Sequence, residues 1–388
     1  MLLALVPFFP PVILFGAVYL NISHRFLACL AVVTASLGGI LFPSPFHSPI
    51  ARYITGFLSC WFMIWSANLL LLKDATTLKR FQKVPASSCY VWQPLPPGYS
   101  WARASWALDL TLNFRAIGWS FDSRQSQHPI AQDDVDTRPS TASGSSKLEI
   151  SRSLFLRRQV RRLCVACLWL AGYPCLAWLP TTAMVHHTMI QTHRQKHGSL
   201  VDLVWVATTL YMFMDGIHAF ATLIGVGLLM DAQWKYPPFF GPVEHLLSGR
   251  LQDIWGKFWH DLLKTGLLAM SKSILPWKRP RAVWSVARIW LCFVLTGAVH
   301  ASASYVVTWE LRSSLHAGVF YCIQPLGILI QMTLAGALRT VLPRCTISAA
   351  LLKTVEIATS VLWLRYCFPW ISADPALRQA IGDLTPLA

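Results

Sequence analysis

An ionisable imidazole stands where hydrocarbon is expected. Residues 289–309, IWLCFVLTGAVHASASYVVTW, form an apolar run long enough to cross a bilayer, yet His300 lies near its centre. Arg288 marks one edge of the run, and the helical rise from there to His300 is about 18 Å, which reaches the bilayer midplane. Ionisable groups at that depth are costly and usually functional. The neighbours Thr296, Gly297, Ala298, Ala301, Ser302, Ala303 and Ser304 are small, so other helices can approach closely or leave a substrate channel. A desolvated, neutral imidazole suits a general base that takes a proton from a hydroxyl. The structural alternative is a histidine that hydrogen-bonds a neighbouring helix.

A second constellation is SGRLQDIWGKFWHDLLK, Ser248 to Lys264. At helical periodicity Asp253, Gly256, Lys257, His260 and Lys264 fall on one face, and Leu251, Trp255, Phe258, Trp259 and Leu262 on the other. The polar face is too charged to span a bilayer, and the aromatic face favours an interfacial or re-entrant helix. His260 would then point into the mouth of a cavity, unless the helix only anchors the surface. Asp215 and His218 share an apolar run three residues apart and are read as an internal polar pair that ties helices together, with substrate binding as the alternative. Glu356 lies in the last apolar run.

The elements that must position these groups follow from composition. Of 388 residues, 54% are hydrophobic and only 13% charged, and mean hydropathy is +0.46. Soluble domains carry about 25% charge. The expectation is an all-α polytopic membrane protein, with residues 1–388 as one integral membrane domain. About eight spans are expected, at residues 2–20, 26–42, 54–72, 163–185, 201–230, 289–309, 318–338 and 347–370. The first is read as a retained span broken by Pro7, Pro10 and Pro11. The two longest loops, 73–162 and 231–288, are both basic. Alternating the spans puts both on one side, expected to be the cytosol, with the termini opposite. The net charge of +16 therefore reflects loops beside a lipid bilayer and not a nucleic-acid partner. It also suits anionic headgroups or a phosphorylated cofactor.

Several motifs carry little. Residues 121–160 are polar and read as a disordered cytosolic insert. Within it, Asp133–Asp136 and the H-x4-D spacing of His128 and Asp133 read as solvated charge. Cys164 and Cys167 read as small packing residues. No Walker, Rossmann, G-x-S-x-G or H-E-x-x-H motif occurs, which argues against an ATPase and a nicotinamide enzyme and leaves no metal site expected.

Four stretches together resemble the wax-synthase-like membrane acyltransferases. SGRLQDIWGKFWHD is similar to their S-x-x-[DE]-F-W-G-R-R-W-H signature. WKYPPFFGP, Trp234 to Pro242, is similar to a preceding Pro/Phe/Gly stretch. NFRAIGWSF, Asn113 to Phe121, is similar to R-G-I-G-W, and FVLTGAVH, Phe293 to His300, to F-x-x-S-G-x-x-H. They occur in the family's order, with residues 234–300 as the catalytic region. The family belongs with the membrane-bound O-acyltransferases. The resemblance implies a helix bundle around a tunnel, with acyl-CoA entering from the cytosol and an alcohol from the lipid or the far side. It makes His300 the catalytic histidine and Trp259-His260 the W-H pair, with Asp253 and Trp255 shaping the site. Lys257, Thr296, Arg115 and Trp119 are carried as further site-shaping positions. Gly256-Lys257-Phe258 replaces G-R-R, which removes guanidinium forks suited to phosphate. Arg250 replaces Ser, with Ser248 two residues early, Ile254 replaces Phe, Thr296 replaces Ser, and Ala116 replaces Gly.

The resemblance is nearest to the fungal branch that acetylates terpenoids, meroterpenoids and trichothecenes. It implies acetyl-CoA as co-substrate, no bound cofactor, a hydrophobic alcohol as acceptor, and the endoplasmic reticulum as location. A long-chain wax or sterol ester synthase is the alternative. A transporter would show internal repeats, and a terpene cyclase paired carboxylates at cavity depth. In acyl transfer the base removes the hydroxyl proton as oxygen attacks the thioester, and His260, a hydroxyl or a backbone N–H holds the oxyanion. A dry cavity protects the thioester from hydrolysis.

Overall fold

The computed structural model describes residues 6–83, 90–121, 151–177, 200–276, 281–341 and 346–384. These fold as an all-α membrane protein with a single two-stranded hairpin among them. Helix α1 (Phe9–Leu20) begins at Pro10 and Pro11, which were expected to break the run. In a first turn proline lacks only an N–H that has no helical partner, so it starts the helix. Helix α2 (Arg25–Leu41) leads to α3 (Pro49–Ser66), capped by Ser48 Oγ on the Ala51 N–H and extended as a π-helical turn over Ala67–Leu72. Strands β1 (Arg80–Lys83) and β2 (Tyr90–Gln93) pair antiparallel, and Ser100 caps α4 (Trp101–Leu112). Helices α5 (Arg152–Ala177) and α6 (Leu200–Thr222) follow, α6 ending in a π-helical turn over Leu223–Leu228. Then come α7 (Val243–Leu247), α8 (Leu251–Asp253) with a π-helical turn over Ile254–Phe258, and α9 (Lys264–Ile274). The chain closes with α10 (Arg281–Thr308), α11 (Leu311–Cys322), α12 (Gln324–Val341), α13 (Thr346–Ser372) and α14 (Pro375–Leu384).

The described parts of all eight expected spans are mostly helical, with Phe42, Leu229, Met230 and Trp309 outside the helices and a break at Ile323. Among the described residues four stretches are long and apolar enough to cross a membrane: Pro49–Leu72, Leu203–Leu228, Ser285–Thr308 and Leu311–Val341. Helices α1 and α2 are apolar but shorter. The last stretch is not one helix. It breaks at Ile323, because Pro325 lacks the N–H that would continue α11 and instead sits in the first turn of α12. Most of the expected insert, with His128 and Asp133–Asp136, lies outside the described residues. Its end is helical, since α5 starts at Arg152.

Helices α3 and α10 form the central seam and run antiparallel. Arg52 donates to the Val307 carbonyl at 3.1 Å, and four residues on Gly56 lies against Ser302 and Ala303. A Cβ at Gly56 would come within 2.5 Å of the Ser302 carbonyl oxygen, so only glycine lets the two backbones meet there. One side of the seam is an aromatic core in which Trp61 and Trp65 stack at 5.8 Å beside Trp106, Trp119, Leu14 and Val299. A smaller core gathers Phe320, Phe368, Ile371 and Leu377. Buried polar groups tie the helices. Asp215 pairs with Arg162 of α5 and not with His218, which packs on the Phe239 ring. Glu356 takes Arg250 and Arg339 at 3.1 Å, and Asp374 accepts from Ser304 and Ser313. In a bilayer an unpaired charge is costly, so such pairs fix which helices are neighbours.

Candidate active site

The stretch from Ser248 to Lys264 does not form the continuous amphipathic helix its periodicity predicts. Its helical part ends at Phe258, where the Trp259 N–H closes a π turn on the Ile254 carbonyl at 2.7 Å. Trp259 is then extended, and His260 lies on a loop. The cause is distant in sequence. The Gly241 N–H takes the Phe258 carbonyl at 2.9 Å, and the Asp261 N–H donates to the Phe239 carbonyl at 3.3 Å. The Pro/Phe/Gly loop thus captures backbone groups that a helix would have used. A Cβ at Gly241 would sit 1.9 Å from the Lys257 carbonyl oxygen, so glycine is required for this approach. The loop leaves His260 ringed by Phe239, Phe240 and Trp259, with centroids 5.6–6.1 Å away.

Arg115 holds that loop in place. Its guanidinium donates to the Pro237 and Pro238 carbonyls, both at 2.8 Å, and pairs with Asp261 at 2.7 Å. It also lies over the Phe239 ring at 5.3 Å. The turn that presents it passes through Ala116, a buried alanine held at φ 52°, where R-G-I-G-W would have glycine. Trp119, three residues on, is fully buried edge-on against Trp106 at 4.8 Å, in the core and away from the cavity.

The cavity has a volume of about 390 Å³ and is bounded by α8 and the π turn after it, α9, α10, the end of α11 and the start of α12. It brings together His260, His300, Trp255, Trp259 and Thr296 of the sequence-derived residues. Asp253 and Lys257 pair with each other at 2.8 Å outside its wall, and Arg115 and Trp119 also stand outside it. Thr296 donates its hydroxyl to the Cys292 carbonyl of its own helix at 2.8 Å. The walls are mostly apolar, from Leu263, Leu267, Ile289, Phe293 and Ile328. The polar lining residues are Gln252, Lys264, Ser285 and Arg288, with Arg288 beside Leu275 at the end of α9 and Lys264 at the start of that helix. The Arg288 guanidinium donates to the Leu275 carbonyl at 3.1 and 2.7 Å, and the Lys264 ammonium donates to the Gly256 carbonyl. No Asp or Glu lines this cavity among the described residues.

His300 sits among aromatic rings that sequence reasoning did not find. Tyr321 stacks on it at 4.2 Å and 15°, and Phe57 meets it edge-on at 5.4 Å. The Tyr53 hydroxyl lies 2.9 Å from Nδ1, which leaves Nε2 as the nitrogen turned toward the cavity. No spacing marks Tyr53 or Tyr321, because tyrosines in apolar helices are common. His260 presents the complementary picture. Its Nδ1 is buried without a hydrogen-bond partner among the described residues, and Nε2 is the nitrogen left to the cavity.

Burial pushes the His260 imidazole down from its ordinary 6.5 to about 4; the Arg115 guanidinium adds to this, and Asp261 opposes it. The fold therefore holds His260 neutral at pH 7. The unfolded chain binds this proton near pH 6.5 and the folded chain only near 4, so His260 lowers stability progressively as pH falls between these values. Thermal unfolding in detergent checks this. His260→Gln is expected to lose less stability than the parent chain between pH 6.5 and 4, and the two should run parallel above pH 7.

Residues 236–323 match the profile of the membrane-bound O-acyl transferase family. All the cavity-lining residues except Ile328 fall within that segment. The chain is also 21% identical over 213 residues to the acetyltransferase spyB of Aspergillus fumigatus. That alignment covers 52% of this chain and 36% of the relative, so the chain spans about a third of that protein's length. No solved structure matches the chain.

Proposed function

Starting from kinship with the membrane-bound O-acyltransferases, we propose that the chain transfers an acyl group from acyl-CoA to an alcohol, with acetyl-CoA as donor. The observation that carries this reading is one apolar cavity that holds both imidazoles inside the family-matched segment, with the Arg288 guanidinium twelve residues before His300 on α10. The Arg288–His300 separation along α10, about 18 Å at 1.5 Å per residue, suits the pantetheine arm of a coenzyme whose phosphates stay at Arg288. The alcohol meets the thioester beside His300.

The chemistry then follows from the two rings. His300 Nε2 takes the hydroxyl proton as the alcohol oxygen attacks the thioester carbonyl. The C–S bond breaks, and the departing thiolate recovers the proton from the imidazolium, giving ester and free coenzyme. No acyl-enzyme is needed. His260 supplies the oxyanion donor. A buried N–H without an acceptor is rarer than a buried acceptor left unfilled, so its proton belongs on Nε2, facing the carbonyl oxygen. No carboxylate lines this cavity among the described residues, which gives no support to the diphosphate ionisation a terpene cyclase needs.

The acetyl preference rests on the printed name of the relative and on the resemblance to fungal natural-product acetyltransferases. The same resemblance favours a hydroxylated terpenoid or meroterpenoid as acceptor and the endoplasmic reticulum as location. The test is microsomes carrying the chain, given labelled acetyl-CoA or palmitoyl-CoA with terpenoid, polyketide, sterol and fatty-alcohol acceptors. Labelled acetyl ester is expected by mass spectrometry. Palmitoyl ester alone would move the chain to the long-chain ester synthases, and no ester with any pair would count against the reading.

A further inference from the structure

We propose that Tyr53 is the positioning residue of His300: its phenol oxygen accepts the Nδ1–H and thereby keeps the Nε2 lone pair in the cavity. The inference rests on the acyl-transfer reading above. Of the three rings around His300, Phe57 and Tyr321 fix its plane by edge and face contact. Tyr53 brings a polar atom to Nδ1, at 2.9 Å, from a helix 247 residues away in sequence.

The need for such an acceptor follows from the reaction. When His300 takes a proton, both ring nitrogens become donors. Nε2–H faces the reacting atoms, whereas Nδ1–H faces the apolar seam between α3 and α10. A donor left unpaired there carries the full cost of desolvation. The Tyr53 oxygen removes that cost and also selects the tautomer, because a proton on Nδ1 leaves Nε2 as the base. Its own position is rigid. Arg52, one residue before, is bonded across the seam to Val307, and Gly56, three residues after, lies against Ser302 and Ala303. The hydroxyl therefore cannot drift from the ring without parting two packed helices.

The test compares the parent chain, Tyr53→Phe and His300→Gln, all purified in detergent. Tyr53→Phe keeps the ring and removes only the oxygen. Its kcat is expected to fall roughly 10- to 100-fold, with KM for acetyl-CoA unchanged, a split that loosened packing would not give. Nitrogen-15 histidine NMR provides a readout that does not depend on turnover. The His300 signals, identified by their loss in His300→Gln, are expected to show Nδ1 protonated in the parent chain and a mixture of tautomers in Tyr53→Phe. An unprotonated Nδ1 in the parent chain, or identical His300 signals in Tyr53→Phe, would overturn the proposal. A parent chain without acyl transfer would fail the reaction reading instead, and the NMR comparison would still decide whether Tyr53 sets the tautomer.

Discussion

His300→Ala is expected to lower kcat by about 10²- to 10⁴-fold, the usual contribution of a positioned general base, while acetyl-CoA still binds. The two halves of this expectation come from different parts of the cavity. The donor's phosphates are assigned to Arg288, about 18 Å along α10 from the imidazole at 1.5 Å per residue, so removing the ring leaves that end untouched. The proton, by contrast, has no other assigned acceptor among the described residues. Thr296 is committed to the Cys292 carbonyl, and His260 is assigned the oxyanion-donor role, with its proton on Nε2. The variant should remain folded, because His300 is half-buried at a cavity wall and its loss enlarges an existing space. The measurement is initial rate against acetyl-CoA concentration in microsomes with matched protein levels. A loss confined to kcat supports the base assignment. A rate equal to that of the parent chain would sink it, and a rise in KM with kcat retained would make His300 a binding group.

His300 was legible because the argument is local: an imidazole near the middle of an apolar run needs a reason, whatever surrounds it. Its partners were not legible. Tyr53 and Tyr321 are ordinary residues of apolar helices, and only the packing of α3 and α11 on α10 brings them to the ring. The W-H pair was found by motif, yet its local conformation was misread. Helical periodicity over residues 248–264 is real, but hydrogen bonds from residues 239 and 241 end the helix at Phe258. A tertiary contact overrode a clean local pattern. The same holds for charge. Asp215 and Glu356 were visible as costly groups, but their arginine partners lie 53, 106 and 17 residues away. Trp119 shows the opposite error. A motif position was read as site-shaping, and its side chain is fully buried beside Trp106.

Arg115 joins both lessons and carries the second large effect. The motif marked it without giving its task, and the structure places it outside the cavity as the clamp on the loop that carries His260. Its side chain is 8% exposed and its partner Asp261 24%. Removing one member of a buried pair leaves an uncompensated charge and typically costs about 3–5 kcal/mol. Arg115→Met is therefore expected to destabilise the chain by about that amount and to release the Pro237, Pro238 and Asp261 contacts together. Activity should fall even in the folded fraction, because His260 loses the loop that holds it. Arg115→Lys separates charge from geometry: a lysine keeps the ion pair but cannot reach three acceptors with a planar fork. It should recover stability more than rate. Asp261→Asn in the Arg115→Met background removes the stranded carboxylate, so the double variant should be more stable than Arg115→Met alone, still with little activity. Thermal unfolding and specific activity across this cycle check the assignment. Independent, additive losses from the two positions would mean that Arg115 and Asp261 do not act as a pair, and full activity in folded Arg115→Met would mean that the loop holds His260 without the clamp.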